Sequence, residues 1–231
     1  MPGLGEDWWR VIKALRGVSD FYRSLNSAIS LGMDRSLRRE AVKGEVGSGP
    51  ILDAGAGDGS LTETILEENP GADRVIMLDF LEDMLRRSRL DSVDRVIGVF
   101  ENLPFREDAF KVLTTSFALR DSRDMIKTIN EFSRVLRSDG KYIILDLGKP
   151  RNPLARLLYG FYWRVLAPMI AVMRLGVKGR LAAEIYPTYR KLPTNKDLEE
   201  ILSRFFTHVE LREKFLGGVI IVRAFNPIKS P

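Results

Sequence analysis

The chain has 231 residues, of which 45% are apolar, 29% charged and 9% aromatic, enough for one buried core and inconsistent with a mainly disordered polypeptide. Its 36 Lys and Arg against 31 Asp and Glu leave a net charge of +5, too modest to nominate nucleic acid as a partner. No cysteine is present, which removes disulfides, thiolate metal sites and cysteine nucleophiles, and agrees with a reducing, cytoplasmic setting.

The N-terminal stretch carries Glu6, Asp7 and two tryptophans rather than a basic segment followed by an apolar one, so no secretory leader is expected. Apolar residues recur at helical spacing over 8–15, 21–31 and 35–42, separated at Gly17 and Gly32, which predicts a helical N-terminal cap. Short strand-like runs then appear at 51–54, 75–78, 95–99, 112–116 and 142–145. Helix-period stretches at 61–68, 81–90 and 125–135 lie between them. That β-α-β-α order predicts a Rossmann-like, doubly wound α/β fold with a mostly parallel sheet. Thr194 and Asp197 form a capping box for a helix over 196–204. Strands at 208–214 and 219–224, turned at Gly217-Gly218, complete seven strands with an antiparallel C-terminal hairpin. One domain is expected in four parts: a cap over 1–49, a donor-binding core over 50–150, a helical insertion or lid over 151–195, and a helix and hairpin over 196–231.

The segment Ile51-Leu52-Asp53-Ala54-Gly55-Ala56-Gly57-Asp58-Gly59 puts a buried strand before a Gly-x-Gly-x-Gly turn, where glycines let the backbone approach a ligand closely. A dinucleotide site would want glycine where this chain has Ser60, because a pyrophosphate rests on the helix N-terminus. Asp53 would repel a pyrophosphate but could attract the ammonium end of a methionine moiety. Asp79, ending the second strand, could accept hydrogen bonds from both ribose hydroxyls. An ordinary strand-to-helix turn and a helix N-cap would account for these residues taken singly. Their ordered combination favours S-adenosylmethionine, held by Asp53, Gly55, Ala56, Gly57, Gly59 and Asp79.

Further motifs follow: Leu103-Pro104-Phe105, Ser116-Phe117-Ala118-Leu119-Arg120-Asp121, Arg134-Val135-Leu136 before an Asp139-Gly140 turn, and Leu145-Asp146-Leu147-Gly148-Lys149-Pro150. With Tyr22-Arg23-Ser24-Leu25-Asn26 upstream, the chain resembles, over nearly its whole length, the ubiquinone and menaquinone biosynthesis C-methyltransferases, also called demethylmenaquinone methyltransferases. The Phe-x-Leu-Arg and Gly-Lys-Pro pieces are the particular ones, similar to the family's Phe-Gly-Leu-Arg-Asn and Glu-Phe-Ser-Lys-Pro. The resemblance implies methyl transfer from S-adenosylmethionine to a ring carbon of a polyprenylated quinol, with no metal. It adds Tyr22, Phe80, Phe100, Glu101 and Ser116 to the donor site. Three positions depart from the pattern: Arg23 stands for an aspartate, Asp121 for an asparagine, and Val99-Phe100 for an Asp-Ala or Asn-Ala pair that meets the adenine amino group. Phe100 could stack on the base, with Glu101 or Asn102 supplying a polar contact.

A quinol needs phenolate character to become nucleophilic at carbon, and a ring proton must then leave. Arg120 is the first candidate for stabilising that phenolate or helping a water act as base; Asp121 and Asp146 are candidate acids or orienters. A loop ion pair would explain the same three residues. His208, the single histidine, is expected on a surface strand. Residues 151–191 hold eight basic residues against one acid, Glu184, among Tyr159, Phe161, Tyr162 and Trp163. Such a stretch fits peripheral membrane contact or a lid over a hydrophobic pocket, while a core helix or a homodimer contact explains its apolar part as well. The alternatives that stay open are another small hydrophobic acceptor, a non-catalytic interaction protein on the same fold, and a nicotinamide-dependent oxidoreductase. Nucleic acid is not expected, since no base-clamping Asn-Pro-Pro-Tyr tetrad occurs.

Overall fold

The computed structural model describes residues 2–72 and 74–229. Seven strands form one sheet in the order β3-β2-β1-β4-β5-β7-β6, where β1 is Pro50–Ala54, β2 Arg74–Asp79, β3 Asp94–Ile97, β4 Phe110–Ser116, β5 Leu136–Leu147, β6 Phe206–Lys214 and β7 Val219–Pro227. The first five pair in parallel. β7 slots antiparallel between β5 and β6, so the C-terminal hairpin expected from Gly217-Gly218 is present with β6 on the edge. The order reverses between β1 and β4, and the crevice at the carboxyl ends of strands on either side of such a reversal is where open α/β sheets bind ligands.

The strand residues alternate between two packed faces. Leu52, Leu113 and Ile144 point into one layer with Ile129 and Phe132 of α6 (Met125–Val135) and Leu202 of α10 (Asn195–Leu202). Ile51, Val112 and Ile143 point into the other, with Ile65 of α4 (Ser60–Glu68) and Ala41 of α3 (Asp34–Val42). Ahead of the sheet lie α1 (Trp8–Val18), which runs past Gly17, and α2 (Tyr22–Ile29). The Thr194–Asp197 capping box opens α10 as expected.

Two expectations change. The helix expected over 81–90 is only the single turn α5 (Glu82–Leu85), because Ser88 Oγ accepts the Leu90 N–H at 3.3 Å and Arg95 takes the carbonyls of Ser88 and Leu90 at 3.2 and 3.1 Å. Those carbonyls are satisfied by a side chain rather than by a continuing helix. The Asp139-Gly140 turn lies inside β5 as an irregularity: Phe110 pairs with Leu136 but Val112 with Lys141, and Lys111 Nζ donates to the Asp139 carbonyl at 3.0 Å and to its carboxylate.

Residues 153–191 are helical throughout. α7 (Pro153–Phe161), a π-helical turn at Tyr162–Leu166 and α8 (Ala167–Leu175) run on without a break, and a 3-10 segment at Gly176–Glu184 leads into α9 (Ile185–Lys191). Asn152 caps the start by accepting the Leu154 and Ala155 N–H groups. Lys149 closes the two ends of this insertion together: its Nζ donates to the carbonyls of Arg190 and Leu192 at 2.9 and 2.8 Å. At the opposite corner Gly218 lies so close under Tyr159 that a Cβ there would fall 1.8 Å from the ring's Cζ. No helix among the described residues is long and apolar enough to cross a membrane.

Candidate active site

The glycine loop follows β1 and is tied to the end of β2. The N–H groups of Gly55 and Ala56 both donate to the Leu78 carbonyl, at 2.8 and 3.0 Å, and Asp79 accepts the N–H of Gly57 at 2.9 Å and of Leu81 at 2.8 Å. Gly55 has φ of +73°, and a Cβ there would meet Ala118 Cβ at 2.5 Å, so both its conformation and its surroundings demand glycine. Burial raises the Asp79 carboxyl above its ordinary value, against the N–H groups of Leu81 and Gly57.

The cleft beside this loop is lined by eight of the residues selected from sequence: Tyr22, Gly55, Gly57, Asp79, Phe80, Phe100, Glu101 and Asp121. Asp53, Ala56, Gly59 and Ser116 are not on its wall. The Asp53 carboxylate has 0% exposure and accepts hydrogen bonds from Thr62 Oγ1 at 2.6 Å and Thr114 Oγ1 at 3.2 Å. It fastens α4 and β4 to β1, and burial pushes its carboxyl up to about 6 despite those two hydroxyls. Ala56 packs beneath the loop with Met77 and Leu85, Gly59 is the left-handed N-cap of α4, and Ser116 is buried at the end of β4 with its Oγ unpartnered.

The sequence led to the expectation of a cap over 1–49 but did not single out the residues of α1 that cover the cleft. Trp8, Ile12 and Leu15 of α1 also line the cleft, and Trp8 meets Phe80 edge-on with ring centroids 4.7 Å apart. Their helical spacing was visible, but it reads equally well as ordinary core. Under this cover the cleft encloses about 70 Å³. It adjoins an open groove of about 1080 Å³ beneath residues 2–9 that shares Trp8, Phe80, Val99 and Glu101 with it and takes in Asn102. Phe100 packs edge-on against Phe132. Glu101 Oε1 is engaged by the N–H groups of Arg123 and Asp124 at 2.8 and 3.0 Å. Arg23, where the resembling family has an aspartate, donates to Asp58 Oδ2 at 2.7 Å and to Glu63 at 2.7 Å, pinning α2 onto the glycine loop.

A second cavity of about 280 Å³ opens between α2, α7 and the β6–β7 turn, with Asn26, Ile29, Phe117, Arg120, Tyr162 and Trp163 among its lining. Phe117 lines both spaces and holds a left-handed φ of +55°, a strained conformation for a bulky residue. Arg120 Nη1 donates to the Phe117 carbonyl at 2.6 Å and to Asp146 Oδ1 at 3.1 Å, and the Arg120 N–H donates to Asp146 Oδ2 at 3.2 Å. Asp146 therefore orients Arg120 from behind and touches neither cavity's lining. Burial alone would lower the Arg120 pKa, but Asp121 and Asp146 outweigh it and hold it above the ordinary guanidinium value. Burial pushes Asp121 up to about 6 in spite of Arg120. Arg120 Nε and Asp121 Oδ1 are buried without hydrogen-bond partners and stand 3.6 Å apart. His208 sits exposed on edge strand β6 beside Glu210, as expected.

A cleft edged by the carboxylates of Asp79, Glu101 and Asp121, with only the Arg120 guanidinium beside Asp121 to offset them, suits a ligand that brings positive charge. No cluster that could hold a metal ion occurs among the described residues. Among solved structures, the chain is similar to a SAM-dependent methyltransferase from Thermotoga maritima, a possible histamine N-methyltransferase (TM-score 0.63, 15% identity, 92% of this chain and 99% of that one). It is also similar to the plantazolicin methyltransferase BpumL solved with SAH (TM-score 0.67, 14% identity, 97% and 94%); at such identities these establish the fold. In sequence it is 34% identical over 180 residues to the ubiquinone/menaquinone biosynthesis C-methyltransferase UbiE of Citrifermentans bemidjiense, covering 74% of this chain and 77% of that one. It is 28% identical over 227 residues to a demethylmenaquinone methyltransferase of Oceanobacillus iheyensis, covering 91% and 92%. Residues 4–224 match the ubiE/COQ5 methyltransferase family, and the chain belongs to that family.

Proposed function

We propose that the protein transfers a methyl group from S-adenosylmethionine to a ring carbon of a polyprenylated quinol precursor, with the donor in the glycine-loop cleft and the ring in the cavity beside Arg120. The observation that carries this reading is the wall between the two spaces. Consecutive residues serve opposite sides of it, Asp121 toward the cleft and Arg120 toward the apolar cavity, and their buried Oδ1 and Nε, neither of them hydrogen-bonded, face each other across it at 3.6 Å.

Bound in the cleft, S-adenosylmethionine supplies an electrophilic methyl on a sulfonium that leaves as a neutral thioether. The chain's residues do the rest by placement, since an in-line displacement of this kind gains chiefly from alignment. Gly55 and Gly57 admit close main-chain approach, Asp79 stands where ribose hydroxyls can donate to it, and ionised Asp121 offsets the positive charge. Trp8, Ile12 and Leu15 cover the cleft, so in this reading α1 moves aside to admit the donor and returns to exclude water. On the other side of the wall Arg120 stabilises the phenolate oxygen that makes the ring carbon nucleophilic, and the phenol proton and, after the methyl group is transferred, the ring proton pass to water. Its charge is held by Asp121 and Asp146 and its direction by Asp146 and the Phe117 carbonyl. Residues 1–49 act as the donor cap, 50–150 as the donor-binding core, 151–195 as the acceptor lid with peripheral membrane contact, and 196–231 as the closing helix and hairpin.

The test is incubation with methyl-labelled S-adenosylmethionine and a short-chain demethylated quinol, followed by mass spectrometry of the product. A ring-methylated quinol is the expected result. Calorimetry showing no binding of the donor or its demethylated product would overturn the enzymatic reading, and methylation of a different phenolic compound in preference to the quinol would overturn the acceptor.

A further inference from the structure

The helical run 153–175 has two apolar faces. Its inner face, Ala155, Trp163, Ala167 and Ala171, is buried against the domain. Its outer face carries Leu154, Leu157, Phe161, Val165, Met169 and Met173 at helical spacing, exposed by 41% to 79%. A helix packed on a soluble domain ordinarily turns polar residues outward, and a contiguous apolar stripe of this length marks an interaction site. The stretch is also strongly basic, with eight Lys and Arg against one acid over 151–191, and Arg151, Arg164, Arg174 and Arg180 form no ion pair among the described residues, Arg164 lying instead over the Tyr186 ring, 5.8 Å from its centroid. The one acid within 151–191, Glu184, is already held by Arg10 at 3.0 Å.

The acceptor cavity opens toward the same surface. Its lining includes Leu31 and Phe215, which are half exposed, next to Leu216 at 78% exposure. Tyr159, on the same helix as the stripe, lines the cavity and donates its hydroxyl to the Phe215 carbonyl. We infer that the outer face of residues 153–175, with Leu31, Phe215 and Leu216, docks on an anionic lipid bilayer, so that the acceptor cavity opens into the lipid. The inference deepens the membrane contact included in the function proposed above, which needs a route for a prenyl tail, but lipid binding itself does not depend on which ring is methylated.

An apolar face flanked by unpaired cations is the form an in-plane interfacial helix takes, because the side chains enter the acyl boundary while the cations meet headgroup phosphates. At 1.5 Å per residue the run is roughly 35 Å long and lies along the surface rather than through it. A second copy of the chain fits less well, since a two-fold contact would bring the same unpaired arginines together.

The experiment is flotation of the full chain with vesicles of phosphatidylcholine alone and of phosphatidylcholine with phosphatidylglycerol in equal parts, at low and high salt. Binding to the mixed vesicles, weaker at high salt, is expected. Leu157→Glu with Met173→Glu lowers that binding about tenfold or more, while Arg174→Glu with Arg180→Glu removes the preference for anionic lipid. All four positions are exposed, so circular dichroism and methyl transfer to a short water-soluble quinol stay as in the unaltered protein. Failure to bind either vesicle, or equal binding by Leu157→Glu/Met173→Glu and the unaltered chain, overturns the docking face. So does a dimer that the same double variant dissociates, which would make the face a contact between copies. Methylation of the short quinol without vesicle binding removes the docking and leaves the function standing; vesicle binding without methylation of any quinol does the reverse.

Discussion

The glycine-loop end of the sheet and the helical insertion treat the same residue types in opposite ways. Around β1 and β4 the apolar side chains are fully enclosed, and the carboxylates of Asp53 and Asp79 are satisfied by hydroxyls or N–H groups. Along 153–175 large apolar side chains face outward, and Arg164 and Arg174 form no ion pair among the described residues. The contrast fits a first region whose packing is complete within the fold and a second whose outer face is the one inferred above to dock on lipid. The boundary is the wall at Phe117, Arg120 and Asp121, where a strained backbone and an ion pair of buried atoms without hydrogen bonds collect.

The comparison is broken most sharply at the loop. Gly57→Arg places a cation and a side chain at φ of +56° on the cleft wall, and donor affinity by calorimetry should fall at least about a thousandfold, roughly 4 kcal/mol. Equal affinity in the two proteins would remove the cleft assignment. In the core beneath, Leu113→Ala should lose about 3 kcal/mol in urea unfolding, because a fully enclosed side chain leaves a cavity. A loss near zero would mean that the sheet interior tolerates exposure as the insertion does.

At the wall itself, Arg120→Lys keeps a charge but forfeits the geometry that reaches the Phe117 carbonyl and Asp146 together. Turnover should drop about a hundredfold while donor affinity changes by less than about threefold, read as kcat against donor Kd. A matching loss in donor affinity would move Arg120 to the donor side.

Asp121 supplies a pH test. Burial raises its carboxyl from 3.8 to about 6, Arg120 opposing, so the fold favours the neutral acid. The resulting stability is complete below 3.8 and is lost as pH rises through about 6. Asp53 shifts in the same direction for the same reason, so urea unfolding of the free protein should show stability falling across that window. Donor binding runs the other way, because a cation needs the ionised acid. Affinity should weaken about tenfold as pH falls through 6, and Asp121→Asn should flatten that profile. The smallest effect belongs to the outer stripe: Met173→Ala, at 79% exposure, should shift stability by less than about 0.5 kcal/mol.

The run of strand and helix periodicities was enough to locate five strands of a mostly parallel sheet and the closing antiparallel hairpin along the chain, though not their order in the sheet, and the family resemblance of the Phe-x-Leu-Arg piece singled out Arg120. Elsewhere local pattern misled. Residues 81–90 have the right spacing for a helix, but Ser88 and Arg95 capture the groups that would continue it. Asp53 carries the acid of a donor motif, yet strand alternation could not tell that its face is sealed by Thr62 and Thr114. The α1 residues that cover the cleft look the same in sequence as residues that only fill a core.

Sequence by itself determined the fold class and the loop chemistry, because hydrophobic period and backbone freedom at glycine act over a few neighbouring residues. Tertiary structure alone decided which side of the wall each residue serves and which apolar face stays outside. Those outcomes depend on surfaces brought together across 26 residues between Arg120 and Asp146 and across 56 between Tyr159 and Phe215, distances over which no local pattern carries information.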